Sequence, residues 1–507
     1  MKSGIIIALM FFTNFIFAQD YQLDKNFGDH GVSLYHFQGE DIIAIAYDGI
    51  IWDDSYLVEC FVDDDNGENT IFIKYDKNGK IDESFADNGK LLTDVLDYDG
   101  PLHFTILPNG NIAIAGVDDS DFLVIYEYDK NGKRDKILAI DTTYDSLYPA
   151  NIISDNKNIY IGGVYGSDWF SGSEDLFIMK TDLEGNIDST FGENGLFIYK
   201  NDSLNVILNA LTFFDGGLLF SFAETGSSYE DVTYSLSELD FSGKLNQSFG
   251  NGGIAKMENV EFLDGDYGEL HLDKNSNIYF RIAGSPFVFK FDKNGNPVLS
   301  YGNNGMSIID FDAQGDMLMG FSRILDDGGI FQFGGTDEYF DKTQPLIMKL
   351  MPDGYPDTTF GYKGFLQGYF GGNSIFYNGI MNDDGSFIAI GGQGIDGSAQ
   401  NVLLAKYKPV ISAVKEISGE ISNIIVYPNP VIGNKFHVVL DLKENSEIEV
   451  SLFSITGKKI DTFYKDRANE GENDFEFVVR SGIMPGTYLL KIMSKKGVSY
   501  KKISVLN

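Results

Sequence analysis

An all-β repeat protein with a smaller all-β unit at its C-terminus is what three features of this sequence predict. A word of the form D-x-x-F-G-x-x-G recurs along the first 364 residues. Short runs rich in Val, Ile, Tyr, Phe and Thr alternate with Asn-Gly and Asp-Gly pairs, the composition of strands joined by tight hairpins. The charge balance also breaks near residue 408: residues 19–408 hold 24 Lys and Arg against 63 Asp and Glu, and residues 409–507 hold 13 against 12. With 507 residues, of which 43% are hydrophobic and 14% aromatic, the chain has ample material for packed cores.

The N-terminal stretch "MKSGIIIALMFFTNFIFA" carries Lys2, an apolar run from Ile5 to Phe17, and Ala18 before Gln19. The run is too short for a membrane span, so residues 1–18 read as a cleaved signal peptide. No cysteine follows it, which argues against a lipoprotein signal, and no later stretch is long and apolar enough to span a bilayer. The single cysteine, Cys60 in "YLVECFV", reads as a core residue, so disulfides are not expected to hold the fold.

The repeat words are "LDKNFGDHG" (23–31), "IDESFADNG" (81–89), "IDSTFGENG" (187–195), "LNQSFGNGG" (245–253), "VLSYGNNG" (298–305) and "PDTTFGYKG" (356–364). Their aromatic markers are Phe27, Phe85, Phe191, Phe249, Tyr301 and Phe360, separated by 58, 106, 58, 52 and 59 residues. The long gap is two periods with a degenerate copy, "YEYDKNGKRDKILAI", at its middle. Four apolar runs fit in each period, best seen in residues 102–141, and first strands are expected near residues 42, 102, 148, 205, 267, 315 and 374. Four antiparallel strands per ~55 residues describe one propeller blade. The last unit stops after its third strand at "NVLLAKYKP" (401–409), whereas the chain starts at residue 23 with a fourth strand that lacks predecessors. Residues 19–408 are therefore expected to form a seven-bladed β-propeller whose N-terminal strand closes the last blade. A β-solenoid would instead need end caps. The word, following "K-[YF]-D-x-N-G", resembles the delta-60 repeat family of bacterial β-propellers over roughly residues 21–408, with good copies at 74–89, 180–195 and 349–364. Ala86 departs from the family glycine, and the resemblance implies a fold but no assigned chemistry.

Residues 409–423 read as a linker and 424–507 as alternating strands with turns and no helix, a small Ig-like β-sandwich. The pieces "YPNPV" (427–431), "VSLFSITGKKI" (450–460), "PGTYLLKI" (485–492) and a basic last strand, "YKKISVL", resemble the type A sorting domain of the type IX (Por) secretion system of Bacteroidota. The residues that carry the match are Pro428, Asn429, Pro430, Gly457, Lys458, Gly486, Tyr488 and Lys502. The resemblance implies that the type IX machinery engages residues 424–507, carries the chain across the outer membrane and removes the domain, leaving the protein released or attached to the surface.

Catalytic patterns are sparse. H-E-x-x-H, G-x-S-x-G, a phosphate-binding G-x-x-x-x-G-K-[ST] and a Cys pair are all missing from the sequence. His30, His36, His103, His271 and His437 are scattered and read as strand or turn residues. "GQGIDG" (392–397) precedes a strand, "NVLLAKY", so no helix N-terminus is there to hold a pyrophosphate. The D-x-N-G-x-x-D segments, Asp76 to Asp82 and Asp182 with Asp188, place Gly at position four where a calcium loop needs it at six. Hairpin turns with Asp accepting local backbone bonds account for them, and with "DDDNGEN" (63–69) the expectation is weak Ca²⁺ binding at most and no cofactor.

Second loops and inter-unit links gather at one end of such a meander, and there they are irregular, acidic and aromatic. Asp168, Trp169, Phe170, Tyr229, Asp337 and Tyr339 are the candidate ligand-binding residues, suited to a glycan or a cation-bearing surface ligand. A net charge of −37 excludes nucleic acid as a partner. The expected function is a non-catalytic, exported β-propeller that binds or scaffolds at the cell surface or in the medium. The alternative is a secreted polysaccharide-active hydrolase or lyase with an acid pair at the propeller mouth.

Overall fold

The structure, a computed structural model, describes residues 21–409 and 421–505 except for 38–41, 65–66, 94–103, 119–121, 141–145, 167–173, 202, 227–231, 258–267, 283, 310–315, 338–342, 359, 362–363, 396–397, 430, 432–434, 455–458, 481–482, 484–485 and 495–496. The expected signal peptide lies outside these residues, as do 410–420 of the expected linker, whose two ends fall in strands: Pro409 closes Ser398–Pro409, and residues 421–423 open Ile421–Tyr427. No helix occurs among the described residues, and the chain divides into two compact units at Lys408/Pro409.

Among the described residues the first unit builds seven antiparallel sheets in chain order. Sheet 1 comprises Ile43–Trp52, Ser55–Asp64, Gly67–Tyr75 and Lys90–Leu92, and sheet 2 Phe104–Ile106, Ile112–Val117, Leu123–Tyr128 and Arg134–Ala139. Sheet 3 comprises Leu147–Ser154, Asn158–Tyr165, Asp175–Asp182 and Leu196–Tyr199, and sheet 4 Asn205–Phe214, Gly217–Thr225, Val232–Asp240 and Ile254–Lys256. Sheet 5 has only Gly268–Leu272, Ile278–Ile282 and Val288–Phe291, whereas sheet 6 has Asp316–Ile324, Ile330–Asp337, Gln344–Leu350 and Phe365–Gln367. Sheet 7 joins Asn373–Met381, Phe387–Ile395 and Ser398–Pro409 to two N-terminal strands, Tyr21–Leu23 and Val32–His36.

Second strands such as "IFQF" show broken alternation because both of their faces are buried. Ile330 packs toward sheet 5 and Phe331 toward sheet 7. Each pair of consecutive sheets shares one apolar cluster. A further cluster joins sheet 7 back to sheet 1, with Ile380, Ile388 and Leu404 against Ala46, Val58 and Cys60, so the packing closes into a ring. From sheet 2 round to sheet 7 and on to sheet 1, first strands touch first strands of the neighbouring sheets, which places them on the inside of that ring.

The repeated word explains how neighbours lock. All six marker aromatics are buried. The residue after each of the first five donates its N–H to a carbonyl in the third turn of the next sheet: Gly28 to Asn78, Ala86 to Asn131, Gly192 to Ser242, Gly250 to Asn294 and Gly302 to Asp353. The turn glycine lies on the ring, and a Cβ at Gly79 would sit 2.6 Å from Phe27. In sheet 2 the word is lost, and Leu138 faces Gly185 in its place. Against the sixth marker, Phe360, packs Tyr21, its ring 5.8 Å away and its hydroxyl donating to Gly385 O.

The N-terminal segment completes sheet 7, with Val32 opposite Ala405 and His36 opposite Asn401. Sheet 5 departs from the expected four strands. Val288–Phe291 has four residues, and its outer neighbour is reduced to a bridge between Phe289 and Met306. Ser307 replaces ladder bonds there: its N–H donates to Val288 O, and its hydroxyl accepts from Val288 N.

The second unit has two antiparallel sheets. One holds Ile421–Tyr427, Lys435–Leu442 and Gly471–Val478, and the other Lys459–Ala468, Ser446–Ser454, Gly486–Ser494 and Gly497–Val505. Phe436, Val438 and Leu440 from one and Val450, Leu452, Leu490 and Ile492 from the other form a single core.

Candidate functional site

Of the six candidate ligand-binding residues, Asp168, Trp169, Phe170, Tyr229 and Tyr339 lie outside the described residues. Asp337 ends the second strand of sheet 6. The polar cluster that the structure does bring together lies elsewhere, on the inner strands.

Bulges prepare it. The first strands of sheets 1, 3, 4, 6 and 7 each carry a register shift against their second strand, at Ala46/Asp48, Pro149/Asn151, Leu208/Ala210, Met319/Ser322 and Phe376/Asn378. A bulge inserts an unpaired residue, tightens the twist and re-aims the side chains beside it. Asp48, Ser322 and Asn378 stand immediately after such bulges. Asp48 Oδ1 accepts from Arg323 Nη2 at 2.8 Å and from Asn378 Nδ2 at 2.9 Å, tying sheets 1, 6 and 7 through one carboxylate. Tyr377 packs edge-on to Tyr47 at 5.0 Å, and burial pushes its phenol up.

On the other side of Ser322, Glu269 from sheet 5 accepts from Ser322 N at 2.8 Å and from its hydroxyl at 2.8 Å. Arg281, opposite Glu269 in the ladder and buried, donates to it at 2.8 Å and to Ser285 O at 2.6 Å. Burial works against a charged Glu269. Arg281, backed by His271, outweighs it and holds the carboxyl well below the usual carboxylate range. Ser322, His271 and Glu269 do not form a nucleophilic relay. His271 Nε2 faces both Ser322 Oγ at 3.4 Å and Glu269 at 3.6 Å, whereas a relay needs the carboxylate on the other ring nitrogen. The arrangement orders the inner strands of sheets 5, 6, 7 and 1.

The D-x-N-G turns use their aspartates locally. Asp76 accepts from Asn78 N and Lys80 N, and Asp182 from Glu184 N and Asn186 N. Asp82 and Asp188 instead pair with Lys74 and Lys180 on the preceding strand. Among the described residues no three His, Cys, Asp or Glu side chains converge on a point where a metal could sit. Cys60 is buried, and burial pushes its thiol up.

In the C-terminal unit Pro428 and Asn429 are exposed after Tyr427, Gly486 opens its strand, and Tyr488 lies between Ser454 and Ile503. Lys502 lies in the last strand, and Pro430, Gly457 and Lys458 fall outside the described residues.

Among solved structures, the chain is similar to an acylaminoacyl peptidase from Pyrococcus horikoshii (9% identity, TM-score 0.40), with 80% of this chain covered. This chain spans 59% of that enzyme's length. It is also similar to the β-propeller domain of the Trilobed protease from Pyrococcus furiosus (12% identity, TM-score 0.38), covering 72% of this chain and 95% of that one. A protein of unknown function from Dyadobacter fermentans matches at 9% identity and TM-score 0.39, covering 75% and 99%. Likenesses this distant carry no argument about activity. No curated protein matches the chain. A family model matches residues 425–506, and by it the C-terminal unit is a secretion system C-terminal sorting domain, which implies export of the chain by that secretion machinery.

Proposed function

We propose that this protein is an exported, non-catalytic binding or scaffolding module. In this reading the ring of sheets is a seven-bladed β-propeller of delta-60-like repeats, residues 1–18 are removed on entry to the secretory route, and an Ig-like sorting domain delivers the propeller through the type IX system to the medium or the cell surface. The match of a sorting domain to residues 425–506, on the same chain as a closed ring of sheets, is the observation that carries the proposal. The acidic balance of residues 19–408 agrees with it, since repulsion between like-charged copies keeps an extracellular protein soluble.

The test is fractionation of cells producing the chain with and without residues 425–506. The full chain is expected outside the outer membrane, lacking residues 1–18 and most of 424–507 by mass spectrometry, and the truncated chain is expected to remain inside. An intact full-length chain in the cytoplasm, or normal export of the truncated one, would overturn the proposal.

A further inference from the structure

Where the fourth strand of sheet 4 faces the reduced outer edge of sheet 5, the surface opens into a cavity of about 710 Å³. That is within the range of small-molecule sites, ~300–1,000 Å³. The cavity floor is apolar: Phe289, Phe291 and Met257 are buried in the cluster that joins the two sheets, and Met306 and Leu299, the latter 68% exposed, stand with them in the lining.

The polar part of the lining is unusual for this molecule. Residues 19–408 carry 63 acids, yet no Asp or Glu lines the cavity. Four amides do, Asn251, Asn296, Asn303 and Asn304, of which Asn296 already donates to Asp292 in its own turn. Two of them stand where other copies of the word place an acid. Asp29, Asp87 and Glu193 occupy the position that Asn251 and Asn303 occupy here. The one cation in the lining, Lys256, has Glu224 3.8 Å away.

An amide offers two donors and an acceptor without charge, which suits the vicinal hydroxyls of a sugar. Apolar side chains suit the C–H faces of the same sugar, as in ligand sites generally, where an apolar wall is set with a few polar groups. A cationic ligand would find better partners on the acidic loops, and an anionic one would have to enter a strongly negative field. We infer that this groove between sheets 4 and 5 is a binding site for a neutral oligosaccharide, an inference that rests on reading the ring as an extracellular binding module.

The test is titration calorimetry of the full chain with maltohexaose, cellohexaose and xylohexaose, and with hexagalacturonate as the charged probe. At least one neutral hexasaccharide is expected to bind saturably, and hexagalacturonate more weakly. The double variant Asn251→Ala, Asn303→Ala is expected to lose about tenfold or more in affinity, since each truncation removes exposed hydrogen-bonding groups from the ligand. Its urea midpoint should not move. Binding that survives this variant, tighter binding of hexagalacturonate, or no neutral sugar bound at all would overturn the inference. So would a loss of binding on Tyr229→Ala or Tyr339→Ala with none in the groove variant, because the sugar would then sit at the loop face. A chain that is exported normally but binds no sugar defeats the groove and leaves the export reading intact.

Discussion

The residue after each word aromatic sits in the left-handed region, with φ between 50° and 57° for Gly28, Gly192, Gly250, Gly302 and Gly361. A Cβ there would fall 2.0–2.3 Å from the carbonyl oxygen four residues on. Ala86 occupies the same position at φ 44°, so its loop has given way to admit a methyl group. A left-handed alanine costs ~1–2 kcal/mol, and glycine returns ~0.4–1 kcal/mol of that through the unfolded chain. Ala86→Gly is therefore expected to stabilise the ring by roughly 0.5–1 kcal/mol, and Gly192→Ala to destabilise it, both read as shifts of the urea midpoint. An unchanged or lowered midpoint for Ala86→Gly would mean that conformation is not what selects glycine there. This demand was legible, because the glycine recurs in the word. The inner polar cluster was not. Asp48 meets partners 275 and 330 residues away, and a lone acid in "IAYDGII" carries no sign of them. The bulge that turns Asp48 into position adds one residue and erases the alternation that would have marked the inward face.

At the scale of the element, the N-terminal segment is held by more than its ladder. Asp24 N donates to Lys406 O, Lys406 N to Gly31 O, and Lys408 Nζ lies 2.8 Å from Asp24. Phe27 is buried against the third turn of sheet 1, and Lys90 of sheet 1 reaches Tyr35 OH at 2.9 Å. The same 16 residues, Tyr21–His36, thus complete sheet 7 and fasten it to sheet 1. Burying one aromatic such as Phe27 is worth ~1.5–3 kcal/mol, and exposing the outer edge of Ser398–Pro409 leaves a template for pairing with other chains. A chain starting at residue 38 is expected to melt well below one starting at residue 19, or to aggregate on production. Equal melting temperature and solubility would show that the ring does not depend on this closure. The phase of the repeat made the closure legible, because the word at 23–31 leads into a fourth-strand sequence and the unit ending at 401–409 reads as three strands, and the two pair. The thin edge of sheet 5 was hidden, since "VLSYGNNGMSI" still reads as word plus strand. Its loss of ladder bonds depends on the Ser307 hydroxyl, which no periodicity reports.

For the whole molecule, charge sets a term that no single contact reveals. Residues 19–408 hold a net charge of −39 from 24 basic and 63 acidic side chains, so folding gathers like charges into a compact ring. Many of these acids are already satisfied locally, by turn N–H groups as at Asp76 and Asp182 or by strand lysines as at Asp82 and Asp188. Local pairing offsets individual desolvation, but the net repulsion stays, and only counterions screen it. The Debye length falls from ~30 Å at 10 mM salt to ~8 Å at 150 mM, from much longer than the ~10 Å spacing of packed sheets to slightly shorter. The melting temperature of residues 19–408 is thus expected to rise between these concentrations of NaCl. Screened surface ion pairs oppose the trend, but each contributes only ~0–1 kcal/mol. The Lys180–Asp188 pair acts in a different window. Hydrogen bonds from Lys180 and Thr190 bring Asp188 down to about 2 from 3.8, so its contribution is complete above pH 4 and is lost as pH falls toward 2. At neutral pH its ionisation is complete, so the salt series is read there without a titration of this pair. Calcium and magnesium at equal ionic strength separate screening from binding. With the turn aspartates occupied by backbone N–H groups, the two cations should raise the melting temperature equally. A rise with calcium alone would reveal a specific site, and a fall with NaCl would show that attractive pairs, not net repulsion, govern the ring.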